Sequence, residues 1–122
     1  MTLVERTHNY TANHKDYVEA SLKPDFTFRD RKTNKEFYVE AKVRSNTMND
    51  KIVWCNQKQL DRYNAYNKQK PVFLILDFGE TSDFLSLIPL NKAKYTGLFP
   101  SYAKQFKIEY DKPITSKILW ER

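Results

Sequence analysis

Residues 23 to 43 read KPDFTFRDRKTNKEFYVEAKV, and polar and apolar side chains alternate along both halves of this stretch. Four polar residues, Arg31 to Asn34, separate the two halves, which is typical of a β-hairpin. With these four residues as the loop, Asp30 pairs with Lys35 and Asp25 pairs with Glu40. Alternation then gives two faces. The apolar core face carries Phe26, Phe28, Phe37, Val39 and Ala41, and the polar face carries Asp25, Thr27, Arg29, Tyr38, Glu40 and Lys42.

Two carboxylates and an ammonium group meet on the polar face. Side chains on directly opposed residues lie about 4.5–5.5 Å apart at Cβ, so Asp25 and Glu40 are expected to be close, with Lys42 beside them. A hard divalent cation relieves the repulsion of such a pair, and Mg²⁺ commonly takes one or two protein carboxylates. An ordinary Glu/Lys ladder on an exposed sheet is the alternative, because such cross-strand pairs are common.

The segment after the hairpin has a helical pattern from about Lys51 to Lys68. Its apolar stripe includes a glutamine, and a buried amide needs a defined hydrogen-bond partner. Gln59 therefore either lies at a solvated edge or has a functional role. A separate basic row contains Lys51, Lys58 and Arg62, and it is either a solvated face or a phosphate-contacting one. The stripe consists of Ile52, Cys55, Gln59, Tyr63 and Tyr66.

The remaining segments indicate an α/β fold. Val72 to Leu76 is typical of a strand that is buried on both faces. A second strand is predicted over Phe84 to Ile88, and a short helix over Ser101 to Lys107 after Pro100. Edge strands are predicted over 108–110 and 114–120. Residues 1–23 show no sustained period and fit either a short strand or an irregular helix.

Composition excludes several classes of protein. The chain has 122 residues, a length that predicts a single domain. Its formal net charge of +6 is compatible with nucleic-acid binding. Two glycines argue against a phosphate-binding glycine loop, and one cysteine, Cys55, rules out an internal disulfide. No apolar run approaches the length of a membrane span, and no signal-peptide pattern occurs. We expect a cytoplasmic or nucleoid-associated protein that is not secreted.

The ordered motifs resemble the PD-(D/E)XK nuclease superfamily over roughly residues 24–78. The motifs are Pro24-Asp25, Val39-Glu40-Ala41-Lys42, and Gln59-x-x-x-Tyr63, which is similar to an element of RecB-like nucleases. The resemblance implies a restriction-endonuclease-like core, a mixed β-sheet flanked by helices in the order αβββαβ. It implies metal ligation by Asp25, Glu40 and the Ala41 carbonyl, and catalysis by Asp25, Glu40, Lys42 and Gln59. Nucleic-acid contacts would come from Lys51, Lys58, Arg62 and Tyr63, with Tyr63 either contacting the strand or packing behind the site.

The sequence departs from that family upstream of Asp25. The family's first helix usually contributes a glutamate, and here only Glu5 and Glu19 are acidic candidates in a poorly patterned segment. The helix is absent, or the chain is an excised domain, or a homodimer or larger complex supplies it. His8 and His14 lie in the same segment and are expected at the surface, because two histidines without acidic neighbours make a poor metal site.

The favoured function is a Mg²⁺-dependent nuclease that cuts DNA, with Mn²⁺ as an alternative ion and RNA as an alternative substrate. The expected context is restriction, repair, recombination or mobile elements. A non-catalytic nucleic-acid-binding module with the same fold is the alternative, and a purely structural or protein-interaction domain is a third. The domain would comprise a poorly defined segment at 1–23, a motif-bearing core at 24–78 and a hairpin and helix extension at 79–122.

Overall fold

The computed structural model describes residues 1–6, 23–79, 84–109 and 112–122. It confirms the hairpin: β2 (Phe26–Arg29) and β3 (Glu36–Val43) are antiparallel, with Phe28 opposite Phe37 in the predicted register. β1 (Thr2–Arg6) pairs with β2, so the short-strand alternative is confirmed for the first residues. The expectations for His8, His14, Glu19 and a first helix within 7–22 lie outside the described residues.

The main sheet contains both parallel and antiparallel strand pairs, which agrees with the predicted mixed sheet of an α/β fold. Its described strands follow the order β1, β2, β3, then β5 (Val72–Asp77), β6 (Phe84–Pro89) and β8 (Lys107–Glu109). β5 lies parallel to β3 and antiparallel to β6, and β8 pairs with β6. The predicted central strand and its hairpin partner are confirmed. Because β3 and β5 are parallel, the chain between them must cross over one face of the sheet.

That crossover holds less helix than the sequence pattern indicated. Helix α1 spans Gln57–Asn67, whereas β4 (Ile52–Val53) pairs with β7 (Gly97–Leu98) in a small second sheet. The predicted helical start at Lys51 is therefore wrong. Asn56 begins the helix because its side chain accepts from the Gln59 backbone and its own N–H donates to the Gln59 side chain, a reciprocal cap.

The C-terminal part contains two short helices. Helix α2 (Pro100–Lys104) begins at the predicted proline and is shorter than expected, and a 3₁₀ turn spans Leu90–Lys92. The strand predicted over 114–120 is wrong: this segment forms α3 (Ser116–Trp120). Thr115 caps it by accepting a hydrogen bond from the Ile118 N–H, which favours a helix over an extended edge.

Both faces of the main sheet are covered, which corrects the idea of a single core face. One apolar cluster contains Phe37, Val39 and residues of α3, and Phe26 and Phe28 pack against it only partly buried. The other cluster lies on the opposite face, under α1, and includes Tyr38 of the predicted polar face. Ala41, expected in the core, is exposed. Asp25, Glu40 and Lys42 thus lie at the border between a polar patch and the apolar cluster under α1.

Candidate active site

Asp25 and Glu40 lie side by side, as the predicted register requires. The Asp25 N–H donates to Glu40 Oε2 at 3.1 Å, and the Ala41 N–H donates to Asp25 Oδ2 at 3.0 Å. The Glu40 carboxylate is buried, with 6% of the residue exposed, whereas Asp25 is half-buried. Backbone hydrogen bonds therefore hold the two acids together at the point where β2 begins.

Lys42 completes the predicted trio. It lies two residues after Glu40 on β3, so both side chains point to the same face. Lys42 Nζ is 3.6 Å from Glu40 Oε1, and only 16% of the Lys42 side chain is exposed. The prediction that Asp25, Glu40 and Lys42 share one face is confirmed.

Tyr63 of α1 contacts the trio from above the sheet. Its side chain hydrogen-bonds Glu40, and its ring stacks on Trp54 with centroids 5.7 Å apart. Tyr63 is buried, with 5% exposed, which does not fit the expected contact with nucleic acid. It fits the other expectation, that Tyr63 packs behind the site, and its hydrogen bond restricts the orientation of the Glu40 carboxyl group.

The electrostatics of Glu40 are unusual for a glutamate. Burial, and after it the nearby charge of Asp25, raise its pKa from 4.5 to about 7, against the lowering effects of Lys42 and Tyr63. Burial and Glu40 in turn raise the pKa of Tyr63, which keeps the phenol protonated and able to donate. A positive charge added beside Asp25 and Glu40 would therefore favour the charged form of Glu40.

Cys55 is buried near this site and is electrostatically coupled to Lys42 and Glu40. Burial raises the pKa of its thiol to about 11. Because the thiolate is the reactive form of cysteine, a thiol that stays protonated at neutral pH is a packing group here.

The Ala41 carbonyl was expected as a third oxygen ligand. In a strand, the N–H and C=O of one residue point to the same side, and the Ala41 N–H points to Asp25. The register of the hairpin, continued by two residues beyond Phe26 and Val39, places Pro24 opposite Ala41. Proline has no N–H, so it cannot donate the ladder hydrogen bond to that carbonyl. The Ala41 carbonyl therefore points to the β2 side of β3, the side on which Asp25 lies.

Gln59 has a structural partner. It is the third residue of α1, and its Oε1 accepts from the Asn56 N–H at 3.0 Å. The sequence predicted a hydrogen-bond partner for the Gln59 amide and a position beside the metal site. The hydrogen bonds described for Gln59 join it to Asn56 instead. Its predicted catalytic role is not needed to explain the residue.

The predicted basic row is divided between two elements. Lys58 and Arg62 lie one turn apart on α1, with Lys58 exposed and Arg62 half-buried. Lys51 lies before β4 instead, with its ammonium group 5.1 Å from the centre of the Phe99 ring. Its place in the row is wrong for the same reason as the helix start, because the cap at Asn56 excludes it from α1.

Sequence reasoning missed two residues that support the site. Trp54 is fully buried and donates its indole N–H to the Tyr95 carbonyl at 2.8 Å. Arg44 donates to the carbonyls of Val53 and Trp54 at 3.2 Å each, which ties the end of β3 to β4. The apolar run around Trp54 was a signal of burial, whereas nothing in the polar loop distinguished Arg44.

Asp25 and Glu40 form a pair of acids and not a larger cluster: the described residues contain no group of three or more His, Cys, Asp or Glu placed to hold a metal ion. Glu5, the described upstream candidate, lies on β1 with its carboxylate 4.0 Å from Lys23 Nζ. Among the described helices none is long and apolar enough to cross a membrane.

Comparisons with known proteins add no relatives: no family model, no curated protein and no solved structure matches this chain.

Proposed function

We propose that this chain is a Mg²⁺-dependent nuclease that hydrolyses DNA phosphodiester bonds. The observation that carries the proposal is the buried Glu40 carboxyl group, held against Asp25 with Lys42 Nζ at 3.6 Å. Crowding two carboxylates raises the free energy of the charged state, and a bound cation is the usual reason to retain such a pair.

The residues present fit a hard divalent cation. Asp25, Glu40 and the Ala41 carbonyl supply oxygen atoms, and Mg²⁺ is commonly held by one or two carboxylates together with water and substrate phosphate. The raised pKa of Glu40 supports this, because a cation would favour its charged form. When bound, Mg²⁺ lowers the pKa of water and stabilises negative charge on a phosphoryl oxygen. Mn²⁺ has similar ligand preferences and is the alternative ion.

The protein's own groups have distinct roles in this proposal. Tyr63 holds the Glu40 carboxyl group in one orientation, and the Asp25 N–H holds its second oxygen. With a cation bound, Lys42 would no longer be the only positive charge beside Glu40. Its ammonium group could then stabilise the charge that develops on the phosphate, or orient the attacking water. The half-buried position of Lys42 strengthens that interaction relative to bulk water.

The order of elements also supports the resemblance to PD-(D/E)XK nucleases. Three antiparallel strands of the main sheet (β1, β2 and β3) precede α1, and β5 then pairs parallel with β3, which corresponds to the βββαβ part of the implied restriction-endonuclease-like core. Asp25 precedes the second strand and Glu40 lies in the third. A homodimer or larger complex that supplies a first helix belongs to the same proposal, as does a cytoplasmic or nucleoid-associated location.

A non-catalytic nucleic-acid-binding module is the second candidate. It is favoured by the fact that the protein itself supplies three partners to Glu40, namely the Asp25 N–H, Tyr63 and Lys42. In that case the trio is a structural network, and the DNA contacts lie elsewhere on the basic surface.

Metal titration and DNA cleavage by the same variants separate the two candidates. We expect Mg²⁺ and Mn²⁺ to bind the parent in calorimetry, and Asp25→Asn and Glu40→Gln to lose binding and cleavage of plasmid DNA. Lys42→Ala should keep metal binding and lose most of the cleavage rate, since the lysine acts on developing charge. Lys42→Arg should restore little, because a planar guanidinium does not replace a compact ammonium group.

Lys32→Ala is the matched control, because Lys32 is an exposed lysine in the hairpin turn. It should cleave like the parent. Equal cleavage by the parent and Lys42→Ala would contradict this site. Binding of DNA without metal binding or cleavage by any variant would favour the non-catalytic module.

A further inference from the structure

A groove of about 770 Å³ lies on the small β4–β7 sheet, away from the carboxylate pair. Three lysines and three aromatic side chains line it, and none of its described lining residues is acidic. Two of the aromatic rings are unusually open: Tyr95 is 72% exposed and Phe99 is 50% exposed. The charged and aromatic lining residues are Lys51, Lys92, Lys94, Tyr95, Phe99 and Tyr102.

The groove is firmly attached to the candidate active site. Trp54 donates its backbone N–H to the Thr96 carbonyl at 2.9 Å and its indole N–H to the Tyr95 carbonyl. The same indole ring stacks on Tyr63, which hydrogen-bonds Glu40. One buried tryptophan thus connects the backbone that presents the groove to the side chain that orients the site.

Two of the three aromatic residues, Tyr102 and Phe99, are also held by contacts within the groove. The Tyr102 hydroxyl donates to the Lys92 carbonyl at 2.7 Å, and Lys51 Nζ lies over the Phe99 ring. Large exposed aromatic rings that line one groove indicate a binding surface.

We propose that this groove binds single-stranded DNA, with bases stacked on Tyr95 and Phe99 and phosphates beside Lys51, Lys92 and Lys94. The choice of DNA rests on the proposed function, and the groove makes that function more specific, because it selects strands with accessible bases. A lysine lining matches the charge of a phosphate backbone, and flat aromatic rings match base faces.

A DNA duplex fits these features less well. Its bases are stacked on one another, so their faces are closed to Tyr95 and Phe99, whereas a single strand exposes them. An acidic peptide would satisfy the lysines but would leave the two open rings without planar partners.

Binding is best measured by fluorescence anisotropy of a labelled dT20 strand in EDTA, where metal-dependent cleavage cannot occur. Tyr95→Leu and Phe99→Leu keep apolar bulk and remove the ring, and each should weaken binding about 5- to 100-fold. Lys92→Ala and Lys94→Ala should each reduce the slope of log K against log salt by about 0.7. Leu3→Ala, at an exposed apolar position on β1, and Lys32→Ala are controls that should bind like the parent.

A matched 20-base-pair duplex should bind more weakly than dT20 and be insensitive to the two leucine variants. The inference is overturned if either leucine variant binds dT20 within twofold of the parent, if a U20 RNA strand binds more tightly, or if poly-glutamate competes better than dT20. Failure of the nuclease proposal gives a different result. The parent would then not cleave DNA in Mg²⁺, while it would still bind dT20 through the groove.

Discussion

Glu40 is the residue in which the conflicting forces of the site are most visible. Burial and Asp25 disfavour its charge, while Lys42, Tyr63 and the Asp25 N–H favour it, and the net result is a pKa of about 7. A group whose pKa is raised in the folded state binds more protons there than in the unfolded state. Folded stability therefore falls as the pH rises from 4.5 to about 7, and stays reduced above it.

We expect Glu40→Gln to stabilise the metal-free protein at pH 8 and to leave its stability nearly unchanged at pH 4. The amide keeps the shape and most hydrogen bonds of the protonated acid without its charge. The difference at pH 8 should be roughly 2–4 kcal/mol, since one pH unit of displaced pKa corresponds to about 1.36 kcal/mol. Urea unfolding of both proteins at the two pH values measures it.

Glu36→Gln is the matched control on the same strand. Hydrogen bonds and charge from Lys70 and Arg29 lower the pKa of Glu36, so its stabilisation is present above pH 4.5 and is lost as the pH falls. The same substitution should therefore destabilise the protein at pH 8. A destabilised Glu40→Gln variant at pH 8 would instead indicate that Glu40 and Lys42 form a structural ladder.

At the scale of elements, the start of α1 decides where Tyr63 lies relative to β3. The reciprocal cap of Asn56 and Gln59 fixes that start, and Tyr63 follows one turn after Gln59 on the same side of the helix. A shift of the helix start by one residue would rotate Tyr63 away from Glu40 by about 100°. The capping residues thus contribute to the site without touching it.

Gln59→Glu distinguishes this role from catalysis. A glutamate at this position accepts the same cap hydrogen bond and adds favourable charge at a helix N-terminus, so stability and cleavage should be retained. Gln59→Ala should cost about 0.5–2 kcal/mol of unfolding free energy, by analogy with other cap losses. Loss of cleavage in Gln59→Glu, with stability retained, would assign Gln59 to the reaction.

Asp30 attaches the C-terminal helix α3 to the hairpin. Its carboxylate accepts hydrogen bonds from Ser116 Oγ at 2.6 Å and from the Trp120 indole at 2.7 Å, and these, with Thr33 and the Lys32 N–H, hold its pKa far below the ordinary 3.8. Because the folded pKa is lowered, this stabilisation is present above pH 3.8 and is lost as the pH falls further.

We expect Asp30→Asn to weaken α3 at neutral pH and to flatten the acid side of the stability curve. Hydrogen exchange of the α3 amides should be faster in the variant, while that of α1 should be unchanged. Ser116→Ala, which removes one of the two α3 donors, should have a smaller effect in the same direction. Equal exchange of α3 in the parent and Asp30→Asn would contradict this attachment.

At the scale of the whole molecule, the net charge of +6 is distributed over more than one surface. Lys58 and Arg62 lie on α1, whereas Lys51, Lys92 and Lys94 line the groove. The α1 pair is still either a solvated face or a phosphate-contacting one. Different DNA substrates can separate these two surfaces.

If α1 contacts phosphates, Lys58→Ala and Arg62→Ala should weaken binding to any duplex sequence by a similar factor. Each should reduce the slope of log K against log salt by about 0.9 on duplex DNA. Filter binding of one 20-base-pair duplex at several salt concentrations measures the slopes, with Lys32→Ala as the charge control. Slopes equal to that of the control would assign Lys58 and Arg62 to a solvated face.

The sequence alone determined the hairpin, its register and the shared face of Asp25, Glu40 and Lys42. Alternation with a period of two places Phe37 and Val39 on one face of β3 and Glu40 and Lys42 on the other, and a polar turn sets the pairing. The buried central strand was equally predictable, because a short apolar run before a turn has few other uses in an α/β chain.

The tertiary structure decided what local patterns leave open. The apolar spacing from Ile52 to Tyr66 is compatible with a helix, yet Ile52 pairs with Leu98, far along the chain. Similarly, Ile118 and Trp120 alternate like a strand, yet they lie in α3, whose Trp120 indole N–H donates to Asp30 across a separation of 90 residues. The Tyr63 contact with Glu40 and the groove at Tyr95 depend on the same kind of long-range packing, because short-range periodicity specifies which face of an element is apolar but not which distant element covers it.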